Sequence, residues 1–312
     1  MSDENNYRVR NDGVFISGSG TTNIVGNAFG PRAKVINIGS EAAPASPRKP
    51  YWHVGVITVL SEETRAIKDR FKRMAAYREH LDEGGACYIE AMFESDGGPC
   101  RLVLVQALDR GTRSAVQTFS NLVHRYEPGV IALVGIAGGI HADVALGDVV
   151  VGQEVIYYDR RKETPAGVQR RASSQAISGP IRGALNRFFT DRGEPVHVNV
   201  SDPDGARRTF SLVRGPIGSG EAVVADENSD IAEYLRKVNY QTLAVETEGA
   251  GASWAFYEAG AKGIDYGRWV VVRGISDHAN KRKDDSYHNI ASWHAATVLE
   301  MLCPYLMQAT LR

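Results

Sequence analysis

The feature that most constrains the fold is an apolar stretch that ends in an acid, at residues 268–277, with the sequence Arg-Trp-Val-Val-Val-Arg-Gly-Ile-Ser-Asp. Near-continuous Val and Ile residues are typical of strands that are buried on both faces of a sheet. In α/β sheets, ligands bind beyond the carboxyl ends of the strands. The sequence therefore predicts a buried strand over 268–276, with the carboxylate of Asp277 at the end where a ligand binds.

Strand-like and helix-like stretches alternate along most of the chain. The predicted strands cover residues 52–60, 101–107, 130–136, 148–157, 243–246 and 268–276. The predicted helices cover residues 62–78, 112–126, 178–192, 228–238, 248–260 and 288–308. Such alternation is typical of helices packed on a central sheet. We therefore expect a single α/β domain over residues 51–312.

The chain before this domain has a different composition. Residues 41–50 hold three prolines among small and charged residues, which is typical of a linker. Residues 1–40 form a short Gly/Asn-rich, β-prone segment in which runs such as Val14-Phe15-Ile16 alternate with Gly, Asn and Ser. The segment is too short to bury a core of its own, so a disordered or loosely docked tail is one interpretation. Its high β-propensity and low charge are also features of segments that stack between chains as cross-β.

Composition excludes several classes of protein. The 36 basic and 37 acidic residues give a net charge of −1, so nothing global indicates binding to nucleic acid or to an anionic membrane. No apolar run approaches the roughly 18 residues of a membrane-spanning helix, and the N-terminus lacks the pattern of a signal peptide. The three cysteines lack metal-ligand spacing and are expected to be free thiols in a reducing cytosol. The prediction is a cytoplasmic protein.

Glu63 is the first candidate for chemistry. Residues 54–60 are predicted to form a strand, Ser61 an N-cap, and Glu62 and Glu63 the first turn of a helix. One interpretation is that both glutamates only compensate the helix dipole. The N-terminus of a helix would also hold a carboxylate ionised, as a general base requires.

Two further acids, Glu246 and Glu248, occur where a short apolar run ends and a helix rich in small residues begins. A structural ion pair explains one of them more easily than both. Between Glu63 and these acids, residues 135–139 form a glycine-rich turn after a predicted strand. Its glycines allow a ligand to lie against the backbone, although the spacing matches neither the Rossmann nor the P-loop motif.

Taken in order, five motifs resemble the nucleoside phosphorylase superfamily, and within it most nearly the methylthioadenosine/S-adenosylhomocysteine nucleosidase branch. The motifs are the strand before Glu63, Gly135-Ile-Ala-Gly-Gly139, Leu146-Gly-Asp-Val-Val150, Val245-Glu-Thr-Glu248 and Arg273-Gly-Ile-Ser-Asp277. The resemblance covers nearly all of residues 51–312. It implies a three-layer α/β/α fold with a central mixed, partly barrel-like sheet, and a homo-oligomer, either a dimer or larger.

The resemblance also implies cleavage of the N-glycosidic bond of a purine nucleoside or nucleotide, with no metal or organic cofactor. At the matching positions, Glu63 would be the general base that activates water. Asp277, with its carboxyl group held by Ser276, would protonate N7 of the purine. Glu248 would accept hydrogen bonds from the ribose hydroxyls as the ring gains positive charge. The other residues expected to bind substrate are Glu246, Thr247, Gly138, Val223, Val224, Arg110 and Arg113.

Several positions depart from the family pattern. Phosphorolytic members bind phosphate through an early turn with an arginine, whereas residues 57–63 have no arginine and carry an acid, so hydrolysis is favoured. Phosphorolysis remains an alternative because Arg110 and Arg113 could bind the attacking phosphate. The other interpretation is that they bind a phosphate carried by the substrate. The nucleosidases usually have a methionine beneath the ribose and an aromatic ring over the purine, where this chain has Thr247 and Val223. The substrate of the housekeeping nucleosidase is therefore not assigned to this chain.

Features outside the motifs favour a specialised role. Two basic stretches, 157–162 and 281–283, are either solvated loops or contacts for substrate phosphates. The spacing of Gly and Asn in residues 1–40 resembles the amyloid signalling motifs of bacterial effectors, in which a segment of an NLR-type sensor templates assembly. The sequence thus favours a nucleotide-depleting antiphage effector that acts on AMP or ATP. The alternatives are a housekeeping nucleosidase or purine nucleoside phosphorylase, and an inactive scaffold that polymerises.

Overall fold

The computed structural model describes residues 9–11, 14–16, 51–224, 226, 229–261, 268–279 and 287–310. The chain divides into two units, Met1–Pro50 and Tyr51–Arg312. In the first unit, the described residues form an antiparallel hairpin of β1 (Val9–Asn11) and β2 (Val14–Ile16). The predicted linker and most of the predicted assembly segment lie outside the described residues, and their roles remain predictions.

The second unit is an alternation of strands and helices. Its described strands are β3 (Val54–Thr58), β4 (Ala75–Leu81), β5 (Cys87–Ser95), β6 (Gly98–Gln106), β7 (Val130–Gly139), β8 (Val149–Tyr157), β9 (Arg161–Thr164), β10 (Gly167–Arg170), β11 (Ser173–Ala176), β12 (Val196–Ser201), β13 (Arg207–Ser219), β14 (Ala244–Glu246) and β15 (Trp269–Asp277). Its described helices are α1 (Ser61–Phe71), α2 (Thr112–Tyr126), α3 (Gly179–Arg192), α4 (Asp230–Val238), α5 (Gly249–Ala261) and α6 (His288–Thr310).

A closed ring of five strands forms the centre of the fold. β15 pairs parallel with β7 and antiparallel with β8, β8 pairs parallel with β13, β13 pairs parallel with β14, and β14 pairs antiparallel with β7. From β7 the sheet continues through β3, β6 and β5 to β4. All nine residues of β15 are buried, as its Val and Ile run predicts. The expected three-layer α/β/α fold with a mixed, partly barrel-like sheet is confirmed.

Helix packing brings two helix N-termini to the same end of the barrel. α6 packs against β7, β15, α1 and α3, while α2 packs against α5. The rings of Phe119 on α2 and Phe256 on α5 meet edge to face with centroids 4.4 Å apart. α5 begins directly after Glu248, so this contact fixes the N-terminus of α2 beside the predicted site. None of the described helices is both long and apolar enough to cross a membrane.

Several sequence predictions differ from the structure. Residues 135–139, which the sequence predicts as a glycine-rich turn, continue β7 as a strand. The first helix ends at Phe71 instead of residue 78, because Ala75–Leu81 pairs with β5 as a strand. Ser61 is not the N-cap: Leu60 occupies that position, and its N–H is bound by the Glu63 carboxylate at 2.8 Å. β13, the longest strand, is not predicted, since Gly215 and Pro216 interrupt its apolar pattern. They lie at a bulge, where a strand tolerates proline.

Candidate active site

The candidate acids meet at one end of the barrel. Glu246 ends β14 and Asp277 ends β15, and the sheet register places Asp277 opposite Gly138 of β7. They line a cavity of about 120 Å³. The predicted site residues that line it are Glu63, Arg110, Gly138, Val223, Val224, Glu246, Thr247, Glu248, Ser276 and Asp277.

Arg113 does not join this group. It lines a neighbouring cavity of about 560 Å³, together with Arg160 of the first predicted basic stretch. The two arginines named as possible phosphate ligands therefore face different cavities, and Arg110 is the one at the candidate site. The second basic stretch, residues 281–283, lies outside the described residues.

Glu63 is held by backbone groups on two sides. Its Oε2 accepts the N–H of Val59 and of Leu60, both at 2.8 Å, and its Oε1 accepts the N–H of Ile136 at 2.9 Å. Burial raises the pKa of Glu63, against the guanidinium of Arg273 and the three N–H groups, which lower it. The sequence prediction that the helix N-terminus holds this carboxylate ionised thus omitted the larger effect, desolvation.

Arg273 is the buried cation around which the glutamates are arranged. Its Nη2 donates to Glu246, and to Oε2 of Glu248 at 3.2 Å. Burial alone would lower the pKa of Arg273, but the charges of Glu246, Glu248 and Glu63 outweigh it and raise the pKa above its ordinary value. Gly135 makes room for this cluster, because a Cβ there would overlap both the Glu63 carboxylate and the Arg273 guanidinium.

Glu248 receives three donors. Besides Arg273, the backbone N–H of Gly111 donates to Oε1 at 3.0 Å, and the hydroxyl of Thr247 donates to the same oxygen at 2.6 Å. Gly111 is the N-cap of α2, so the packing of α2 on α5 positions this donor. The orientation of Glu248 is therefore fixed before any ligand binds.

Asp277 is held by its neighbours in the chain. The hydroxyl of Ser276 donates to Oδ2 at 3.1 Å, and the backbone N–H of Ala279 donates to Oδ1 at 2.7 Å. The side chain is 7% exposed and faces the cavity. A carboxyl group that is buried yet reaches a cavity is suited to exchange a proton with a ligand there.

Residues 222–224, which follow β13, form a further wall of the cavity. The hydroxyl of Tyr158 donates to the carbonyl of Ala222 at 2.7 Å, and Asp159 accepts the N–H of Ala222 and of Glu221. The wall presents Val223 and Val224 to the cavity. Its inner surface is aliphatic, as expected from the valine at position 223.

The sequence of the chain matches a known protein family, in agreement with the fold and motifs described above. A sequence model of the phosphorylase superfamily matches residues 53–307. The chain belongs to the phosphorylase superfamily. This confirms the resemblance inferred from the five ordered motifs. Two relatives of the chain differ in how much of their own length the match covers.

One relative is the ATP nucleosidase Cap17 of Escherichia coli (strain KTE188), 23% identical over 256 residues that cover 78% of this chain and 49% of the relative. The chain thus spans about half the length of that protein. A 5′-methylthioadenosine/S-adenosylhomocysteine nucleosidase of Bacillus thuringiensis (strain Al Hakam) is 24% identical over 234 residues, covering 75% of this chain and 89% of the relative.

Among solved structures, the phosphorylase-superfamily fold of this chain matches a 5′-methylthioadenosine/S-adenosylhomocysteine nucleosidase from Neisseria meningitidis with a TM-score of 0.61 and 20% identity. The match covers 80% of this chain and 97% of that one. The family match at residues 53–307 places the superfamily fold in the second unit of this protein.

Sequence reasoning assigned no role to three residues of the site. Arg273 was visible as a charge inside an apolar strand, and a buried guanidinium requires acidic partners, so the signal was present. Tyr158 and His288 line the cavity but come from segments without a recognisable motif. His288 begins α6 and its Nδ1 lies 3.2 Å from Oε1 of Glu62. Among the described residues, no cluster of His, Cys, Asp and Glu side chains is arranged to hold a metal ion.

Proposed function

We propose that the chain is a purine N-ribohydrolase, which cleaves the N-glycosidic bond of a purine nucleoside or nucleotide with water. The observation that carries the proposal is the imbalance of buried charge at the cavity. Glu63, Glu246 and Glu248 are each at most 6% exposed and share one cation, the guanidinium of Arg273, which donates to Glu246 and Glu248 and lowers the pKa of Glu63 against its burial. An excess of fixed carboxylates stabilises a developing positive charge, as on a ribosyl ring that loses its base.

The arrangement divides the reaction between Glu63 and Asp277, which both line the cavity. Glu63 accepts a proton from water, which attacks the anomeric carbon as the bond to the purine breaks. Asp277, positioned by Ser276, protonates N7, so that the base leaves neutral. Glu248 accepts a hydrogen bond from the ribose, and Arg273 keeps it oriented for this role. Water thus adds to the sugar, and the purine leaves with a proton.

The charge distribution favours water over phosphate as nucleophile. A phosphate ion at the anomeric carbon would lie among the buried carboxylates. The guanidinium of Arg273 does not offset them for phosphate, because it already donates to Glu246 and Glu248. Hydrolysis is therefore proposed, and phosphorolysis is the alternative that the experiment below tests.

The proposed substrate is an adenine nucleotide, with Arg110 as the ligand of its phosphates. Arg110 is exposed and lines the cavity, and His288 lines it too. The names of the two relatives support the purine class: one is an ATP nucleosidase and the other acts on methylthioadenosine and S-adenosylhomocysteine. A housekeeping nucleosidase remains the competing candidate.

The proposal extends to regulation in a cytoplasmic defence effector. Residues 1–40 are proposed to assemble between chains, 41–50 to act as the linker, and an NLR-type sensor to template the assembly. The β1–β2 hairpin supports a β-forming segment. The test is the specific activity of the full chain as its concentration increases: assembly gating predicts a sharp rise, and a constant specific activity with no response to preformed seeds would contradict it.

The activity is tested by incubating the full-length protein with AMP, ATP, adenosine, methylthioadenosine or inosine in the absence of phosphate, and detecting free base by chromatography. Glu63→Gln and Asp277→Asn are expected to release no base, whereas the control Glu233→Gln, on the exposed side of α4, is expected to match the unaltered protein. Release only from methylthioadenosine favours the housekeeping role, and release only with added phosphate shows a phosphorylase. If no base is released even with phosphate and preformed assemblies present, the inactive scaffold is the remaining interpretation.

A further inference from the structure

The hydrogen bonds of Glu248 leave little of its carboxylate free for a sugar. A carboxylate has two oxygens with two acceptor positions each. Oε1 accepts from the N–H of Gly111 at 3.0 Å and from the hydroxyl of Thr247 at 2.6 Å, so both of its positions are used. Oε2 accepts from Arg273 at 3.2 Å and keeps one position. Glu248 alone therefore does not serve two ribose hydroxyls.

Thr247 supplies the second hydrogen-bond acceptor that Glu248 lacks. A hydroxyl has one proton and two acceptor positions. Since the Thr247 proton is donated to Glu248, its oxygen offers only acceptor positions to a ligand. Thr247 lines the cavity next to Glu248. The two residues form adjacent acceptors, which match the two adjacent O–H donors of a vicinal diol.

We infer that Thr247 determines the specificity for ribose: it accepts a hydrogen bond from one of the 2′- and 3′-hydroxyls, while Glu248 accepts one from the other. The inference rests on the proposed function and narrows its substrates to nucleosides or nucleotides with an intact ribose. A site built to bond a hydroxyl discriminates against the analogue that lacks it, because its polar groups are then left unpaired. The methionine of the nucleosidases that the sequence resembles offers no comparable acceptor.

The test compares adenosine and AMP with their 2′-deoxy and 3′-deoxy counterparts, as kcat/KM for base release. Three proteins are used: the unaltered chain, Thr247→Val, which keeps the shape but removes the hydroxyl, and Thr247→Ser, which keeps the hydroxyl. Thr247→Val is expected to lower kcat/KM for the ribose substrate about three- to tenfold. It is also expected to lose the discrimination against one of the two deoxy analogues and to keep the other. Thr247→Ser is expected to keep both discriminations.

The outcome for Thr247→Val decides the inference. Unchanged discrimination against both deoxy analogues would overturn it, since the hydroxyl would then bond no sugar group. An equal loss against both analogues would also overturn it, and would show that Thr247 only orients Glu248. If no protein releases base, the proposed function fails separately, and calorimetric binding of adenosine and its deoxy analogues to the same three proteins applies the same criteria.

Discussion

The backbone N–H of Gly111 donates to Oε1 of Glu248 over 3.0 Å, although 137 residues separate the two in sequence. The next residue, Thr112, donates its hydroxyl to the carboxylate of Glu221, which lies just before the cavity-lining residues 222–224. The N-terminus of α2 thus binds both Glu248 and the segment after β13 that carries Val223. Its geometry is therefore expected to matter for substrate binding as well as for folding.

Gly111→Ala tests this connection. Gly111 has φ +91° and ψ 172°, a conformation essentially restricted to glycine, and a Cβ there would lie 2.7 Å from Oε2 of Glu221. The variant is expected to lose about 1–3 kcal/mol of unfolding free energy and to raise KM. In the control Gly183→Ala, at an exposed position of α3, a Cβ meets no atom within 4 Å, and a gain of about 0.5–1 kcal/mol is expected. Equal KM values and stabilities for the two variants would contradict the argument.

Arg273→Met is expected to be strongly destabilising. The variant leaves Glu246 and Glu248 buried without their cation, which costs about 3–5 kcal/mol for a broken buried pair. The control Arg161→Met removes an exposed ion pair with Glu163 and is expected to cost at most about 1 kcal/mol. Urea unfolding measures both. A loss for Arg273→Met as small as that of the control would show that the cluster relaxes without its guanidinium.

The pH dependence of activity is expected to reflect the deprotonation of Glu63. Burial raises the pKa of Glu63 above its ordinary value of 4.5, and a general base acts only when deprotonated. kcat/KM is therefore expected to rise as pH increases through a pKa above 4.5. The folded state also binds this proton more tightly than the unfolded state, so the contribution of Glu63 to stability decreases over the same rise in pH. An acid limb at or below pH 4.5 would exclude Glu63 as the titrating base.

Tyr158→Phe is expected to loosen the wall of the cavity that holds Ala222 and to leave the hydrogen bonds of the acids unchanged. The variant removes the hydrogen bond to the Ala222 carbonyl, and KM is expected to rise about three- to tenfold with kcat nearly unchanged. Tyr305→Phe is the matched control, since it removes an exposed hydrogen bond to Asp191 on α3. A similar KM in the two variants would show that Tyr158 does not position the loop.

Local patterns predicted the parts of the site that single strands and junctions determine. The apolar run before Asp277 gave a buried strand with an acid at its end, and Glu246 and Glu248 lie at the predicted strand-to-helix junction. These predictions hold because period and composition are properties of neighbouring residues. The resemblance then added the fold, including the barrel-like sheet.

Relationships between distant segments were not predictable from local pattern. Arg110 and Arg113 are three residues apart, yet they line different cavities, because α2 begins between them and turns Arg113 away. β13 was missed since its place in the barrel depends on pairing with β8 and β14 instead of on its own apolar pattern. The contact of Gly111 with Glu248 depends likewise on how two helices pack.

The acids and Val223, the residue proposed to contact the base, belong to different parts of the fold, and this has an evolutionary consequence. The acids at positions 246 and 277 end barrel strands, whereas Val223 lies on the loop after β13 and is 63% exposed. If Val223 contacts the purine, as the proposed function holds, substitutions in that loop are expected to alter which heterocycle fits while the strands stay intact. Descendants of such a protein would then change the base they accept through a few tolerated surface mutations and inherit the acids unchanged.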